Sequence, residues 1–148
     1  MDQSGGYGIP LDLEGFFRTR RFEMKPLHRS IAEHIHLLLI TGREEYEFDR
    51  EFGCEVWDND FETQSAMTVW VDRVADGIRG RLAIYEKRLI DIEVTAEHAQ
   101  AEFSTKDGER VSARLKRKLT IRLSARVAST NELFRFEDTI YMSPFSLD

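Results

Sequence analysis

Apolar residues recur at helical spacing from Leu27 through Ile31, Ile35, Leu38 and Leu39, which marks one face of a helix. Pro26 precedes them, where its missing N–H is harmless in a first turn, and Thr41-Gly42 supplies a stop. A second helix is predicted from about Ser65 to Lys87. There Val71, Val74, Ile78, Leu82 and Tyr85 repeat at three and four, with Trp70 and Ala75 widening the stripe. Gly77 and Gly80 interrupt it, each at about 1 kcal/mol relative to alanine, which suggests close packing against a sheet. After Arg88 the period drops to two. Ile90, Ile92, Val94 and Ala96 face one way, and Asp91, Glu93, Thr95 and Glu97 the other.

A second alternating run sets Leu115, Leu119, Ile121, Leu123, Ala125 and Val127 against Arg114, Lys116, Lys118, Arg122 and Arg126. A third, Leu133 to Met142, groups Phe134, Phe136, Ile140 and Met142. Turn-forming residues at Lys106-Asp107-Gly108 and Ser129-Thr130-Asn131 separate the three runs. The pattern predicts an α+β fold: two helices packed on one face of a three-stranded antiparallel meander. The outward face is acidic on its first strand and basic on its second, which fits cross-strand salt pairs. Between the helices, Arg43 to Phe61 reads as a structured loop with a short strand, and Gly53 marks positive φ or a close backbone approach.

Ahead of the helices, Met1 to Pro10 is glycine-rich and reads as a mobile arm. Between Leu11 and Lys25, Phe16, Phe17 and Phe22 alternate with Arg18, Arg20 and Arg21. That mixture suits stacking on single strands or docking on a protein. The chain has 148 residues and a net charge of −6, and this acidity favours protein over nucleic acid. Length and a 41% hydrophobic content fit one domain over 27–148, preceded by an arm and docking segment over 1–26. Cys54 is the single cysteine, so no internal disulfide forms and a reducing compartment is expected. The first ten residues lack the basic and apolar regions of a secretory signal. No apolar run approaches the roughly 20 residues that span a bilayer, so a cytoplasmic protein without membrane insertion is expected.

Candidate chemistry is sparse. His28, His34 and His36 show no metal-ligand spacing and read as surface or satisfied histidines; neither metal nor cofactor is expected. Glu86, with Asp91 and Glu93 downstream, offers carboxylates for glycoside cleavage. Lys87 and Arg88 beside it would lower its pKa, whereas a general acid needs it raised. No nucleophile elbow, P-loop or dinucleotide fingerprint is present. The sequence does not read as an enzyme. Glu86-Lys87-Arg88 therefore draws attention as an ion pair at a junction between helix and sheet, either capping the helix or meeting a partner.

Taken in order, Thr41 after a first helix, Phe52-Gly53-Cys54, a long second helix ending in Glu86-Lys87-Arg88, and three alternating strands resemble a known family. It is the baseplate wedge and sheath-initiator family of contractile tails, which includes the phage proteins named tail lysozymes and TssE of type VI secretion. The resemblance covers roughly Leu27 to Met142. Its hallmark is Glu-Pro-Arg at the helix end, so Glu86 and Arg88 match and Lys87 replaces the proline. The loop keeps only an acid in Glu44-Glu45-Tyr46, where Gly-Glu-Arg is usual.

The resemblance implies a non-catalytic part of a contractile injection machine, a TssE-like component in a membrane-docked cytoplasmic baseplate. It would join TssF-like and TssG-like wedge proteins to the first ring of sheath subunits and initiate sheath polymerisation. Glu86, Lys87 and Arg88 would form the partner site, and Phe52, Gly53 and Trp57 would be partner-binding or structural. A phage tail baseplate protein, or a muramidase-like enzyme using Glu86, is the alternative.

Overall fold

In the computed structural model, which describes residues 5–54, 64–107 and 110–142, the chain begins with β1 (Gly6–Tyr7), α1 (Leu13–Thr19) and β2 (Met24–Lys25). It continues through α2 (Leu27–Ile40), α3 (Gln64–Tyr85), β3 (Leu89–Asp107), β4 (Arg110–Val127) and β5 (Leu133–Met142). The last three form an antiparallel sheet in the order β3-β4-β5, the meander predicted from the sequence. Ile31, Ile35, Leu38 and Leu39 of α2 and Val74, Ile78 and Leu82 of α3 form the core with Leu119, Ile121, Leu123, Ala125 and Val127 of β4 and Phe134, Ile140 and Met142 of β5. The hydrophobic stripes of two helices are thus buried against one face of the sheet. On the opposite face, Arg122 donates to Glu97 of β3 at 2.7 Å and to Glu137 of β5 at 2.8 Å. These are the cross-strand salt pairs expected from the charge pattern.

Three features depart from the sequence reading. The first strand does not keep one phase: Ile90 faces Arg126 and Glu93 faces Ser124, so Asp91 and Ile92 together oppose Ala125. Asp91 takes a positive φ of 52° at this bulge. An extra residue reverses the alternation, and so Leu89 is buried while Ile90 is exposed. Second, a Cβ built on Gly77 or Gly80 meets nothing within 4 Å. Both glycines lie on the solvent side of α3, so they do not bring the helix closer to the sheet. Third, the segment read as an arm holds structure from Gly5 onward: β1 pairs with β2 through Gly6↔Lys25 and Tyr7↔Met24.

Between those two strands α1 is a helix of seven residues. Asp12 caps it by accepting from the Gly15 N–H at 2.8 Å, a standard use of an aspartate side chain. Its other end turns at Arg20 in the left-handed conformation. The β1–β2 pair is fixed to α2 through Glu33, which accepts from the Ile9 N–H at 3.0 Å and from Lys25 Nζ at 2.7 Å.

Candidate functional site

α3 delivers Glu86 to the interior. The Glu86 N–H still donates to the Leu82 carbonyl at 2.8 Å, and the Leu89 N–H then donates back to the Glu86 carbonyl at 3.3 Å. The helix therefore runs straight into a tight turn, with Lys87 and Arg88 at its two central positions. The Glu86 side chain points inward and is 2% exposed. Lys87 points out, and its Nζ donates to the Ala83 carbonyl at 3.0 Å. Lys87, and not Arg88, is thus the cation that completes the C-terminal end of the helix.

Arg88 folds back onto Glu86 with both prongs of its guanidinium: Nε donates to Oε1 at 2.7 Å and Nη2 to Oε2 at 2.7 Å. The Arg88 backbone N–H adds a contact to Oε1 at 3.2 Å. Two residues of α2 complete the arrangement. His34 Nδ1 lies 2.7 Å from Glu86 Oε2, and Arg88 Nη1 donates to Ser30 Oγ at 3.0 Å. Since an ionised carboxylate only accepts, Nδ1 must carry the hydrogen. A Cβ on Gly6 would sit 2.1 Å from Ser30 Oγ and 3.4 Å from Arg88 Nη1. Only a residue without a side chain lets β1 lie this close.

Burial raises the pKa of Glu86, but hydrogen bonds from Arg88 and His34 and the charge of the Arg88 guanidinium outweigh it and hold the carboxyl at about 2. The same pairing, opposed by burial, raises Arg88 above its ordinary value. A carboxylate in this setting stays ionised and gives up its lone pairs to internal donors. Such a site orients backbone and fixes a junction.

The second sequence-predicted group joins the first through His34. Phe52 stacks near the His34 ring at 6.2 Å and meets Tyr85 edge-on at 5.2 Å. Gly53 has a φ of 111°, and a Cβ there would lie 2.6 Å from the Thr41 carbonyl oxygen and 2.7 Å from that of Gly42. Both expected reasons for a glycine hold. The neighbouring Gly42↔Cys54 bridge and the Cys54 N–H to Thr41 carbonyl bond at 3.0 Å close the loop onto the end of α2. Trp57 lies outside the described residues.

Apart from Gly6, these residues fall within a single match. The family model described as baseplate wedge protein gp25 matches residues 25–132. The chain belongs to the gp25 baseplate wedge family. As a baseplate component, this gp25-family chain interacts with other components of a baseplate. Among solved structures, it is similar to a protein from Geobacter sulfurreducens that carries the provisional name tail lysozyme. The identity is 22% and the TM-score 0.58, over 85% of this chain and 100% of the other. At that identity the likeness speaks to fold alone. A comparison with the curated proteins finds no match.

For a gp25-family chain, sequence reasoning singled out Glu86 and Arg88 but missed Ser30, His34 and Gly6 as their supports. A signal existed. Ser30 and His34 are polar residues one turn apart inside an apolar helix, beside the buried Ile31 and Ile35, and such a pair on one face points to a shared polar partner. His28 and His36, by contrast, make separate contacts at the surface, with Glu132 at 3.1 Å and Asp138 at 2.5 Å. No group of three or more metal-ligating side chains gathers among the described residues.

Proposed function

We propose that this chain is a non-catalytic, TssE-like component of a type VI secretion baseplate, joining TssF-like and TssG-like wedge proteins to the first sheath ring and initiating sheath polymerisation. It acts in the cytoplasm, within a baseplate docked to a membrane. Membership of the gp25 family supports the baseplate setting. The observation that carries the non-catalytic reading is the closed arrangement of Glu86, whose two oxygens are taken by Arg88 and His34. A muramidase acid would need a protonated carboxyl in an apolar pocket, the reverse of this setting.

In this reading Glu86 positions Arg88, while Lys87 and the outer part of Arg88 meet the partner. The sheet contributes a second surface. β5 is an edge strand of the described sheet, and a groove of ≈ 440 Å³ runs beside it, with Ile9, Leu37, Ile40 and Phe136 as its apolar lining and Arg29, Glu33, His36, Glu137 and Asp138 among its polar lining. An added strand from a sheath subunit would gain main-chain bonds along β5 and seat side chains in the groove.

Lys87→Glu tests the partner site, because the side chain is exposed and the fold should persist by circular dichroism. Loss of sheath assembly with the variant is expected; normal assembly would remove Lys87 from the interface. Incubation of the purified chain with peptidoglycan tests the other half of the proposal. No turnover is expected, and turnover abolished by Glu86→Gln would overturn the non-catalytic reading.

A further inference from the structure

α1 is held in place yet buries none of its own residues. Phe16 stacks on Phe22 with ring centroids 4.4 Å apart, and Phe22 meets Tyr7 at 5.6 Å. That leaves Leu13 and Phe17, one turn apart on the same face, pointing outward; Phe17 is 69% exposed. Arg18, Arg20 and Arg21 follow, and their side chains make no hydrogen bond or ion pair among the described residues. The result is an apolar helix face edged by three arginines, with Glu14 and Glu23 the acidic residues of the same segment.

A patch of the opposite sign lies on the loop after α2. A row of rings runs outward from the core, Tyr85 to Phe52 at 5.2 Å, Phe52 to Tyr46 at 6.1 Å and Tyr46 to Phe48 at 5.7 Å. It ends at Phe48, which is 86% exposed. Glu44 and Glu47 flank these rings, and their side chains also have no hydrogen bond or ion pair among the described residues. The loop is set in place by the Glu44 N–H to Arg50 carbonyl bond at 2.9 Å and by the Gly42 N–H donating to Glu45 at 2.6 Å. Both patches are therefore organised before any partner arrives, which lowers the cost of docking. Exposed aromatics with arginines are the side chains most used at the centres of interfaces.

We infer that the two patches meet between copies of this chain: α1 of one copy seats Leu13 and Phe17 on Tyr46 and Phe48 of the next, with its arginines against Glu44 and Glu47. Opposite charge on two patches of one chain favours a second copy as the occupant. The contact joins different surfaces, so it is heterologous and builds rings or open chains. It does not rest on the proposed sheath role, and α1 lies outside the span matched by the family. Each patch is small, so the contact is weak between isolated molecules and gains strength where copies are already gathered.

Sedimentation velocity of the full chain over a concentration series tests this. Association should grow with concentration and weaken about tenfold or more from low to high salt, as exposed charge pairs are screened. The variants Arg18→Glu/Arg20→Glu/Arg21→Glu and Glu44→Arg/Glu47→Arg each carry like charges on both patches; each alone should stay monomeric, and mixing the two should restore association. A wild-type chain that is monomeric throughout, association that survives in either variant, or no recovery on mixing would overturn the inference. Flotation with phosphatidylserine–phosphatidylcholine vesicles supplies the other arm. No retention is expected, and retention lost in Phe17→Ser but kept in the loop variant would assign α1 to a lipid surface instead.

Discussion

Glu86 carries more of the junction than its position in the sequence suggests. It ties the end of α3 to α2 through His34, and it holds Arg88 where that side chain also reaches Ser30. Replacing Glu86 by Gln leaves the Arg88 guanidinium facing a neutral amide; Arg88 is partly exposed, so the loss is that of charged hydrogen bonds, about 2 kcal/mol. Urea unfolding at neutral pH should show that loss as a lower midpoint with an unchanged slope. The pH dependence has a defined sign. The folded carboxyl is at about 2 against an ordinary 4.5, so its stabilisation is complete above about 4.5 and disappears as pH falls through about 2. Glu33, also lowered to about 2 by Lys25 and the Ile9 N–H, adds in the same direction. Wild-type stability should therefore fall across this window. Glu86→Gln should show a shallower fall, because one of the two linked groups is gone. Gly53 is the other sensitive residue. With a φ of 111° and two carbonyl oxygens in the way, Gly53→Ala should lower stability by about 2 kcal/mol, measured by the same unfolding curves.

At the level of elements, α3 makes the contrasting prediction. Gly77 and Gly80 sit in the helix with open space where a Cβ would go, so alanine at either position should stabilise the chain by about 0.5–1 kcal/mol. Thermal unfolding of Gly77→Ala and Gly80→Ala would check this, and a loss of stability would mean that the outer face of α3 is packed. The sequence-based reading erred here because a glycine in a helix looks the same in sequence whether it faces a sheet or water. The helices and the meander were legible because their apolar residues repeat with the periods of 3.6 and 2 over many residues. β1 and β2 were not, since strands of two residues have no period to read. The bulge at Asp91 was hidden for a related reason: the non-glycine residue with positive φ that marks it leaves no signature in a run of alternating residues. One extra residue was enough to turn Ile90 to solvent and Leu89 to the core. The site was half legible. Glu86 and Arg88 stand together in the chain, while Ser30 and His34 reach them only once α2 is packed beside α3.

For the whole molecule, these parts describe a two-layer domain with a buried ion pair at one junction, an edge strand, β5, in the described sheet and an organised segment ahead of α2. In the proposed role the arrangement presents surfaces to partners. Membership of the gp25 family places such a chain in a baseplate, and the closed setting of Glu86 supports the proposed structural use of this acid. The account depends on sheath assembly needing this chain and needing the Glu86 junction intact. The most direct test counts assembled sheaths by electron microscopy in cells lacking the chain and in the same cells supplied with wild-type or Glu86→Gln protein, at matched folded levels. The account predicts no sheaths without the chain, full recovery with wild type and strongly reduced recovery with Glu86→Gln. Normal sheaths in cells that lack the chain would contradict it.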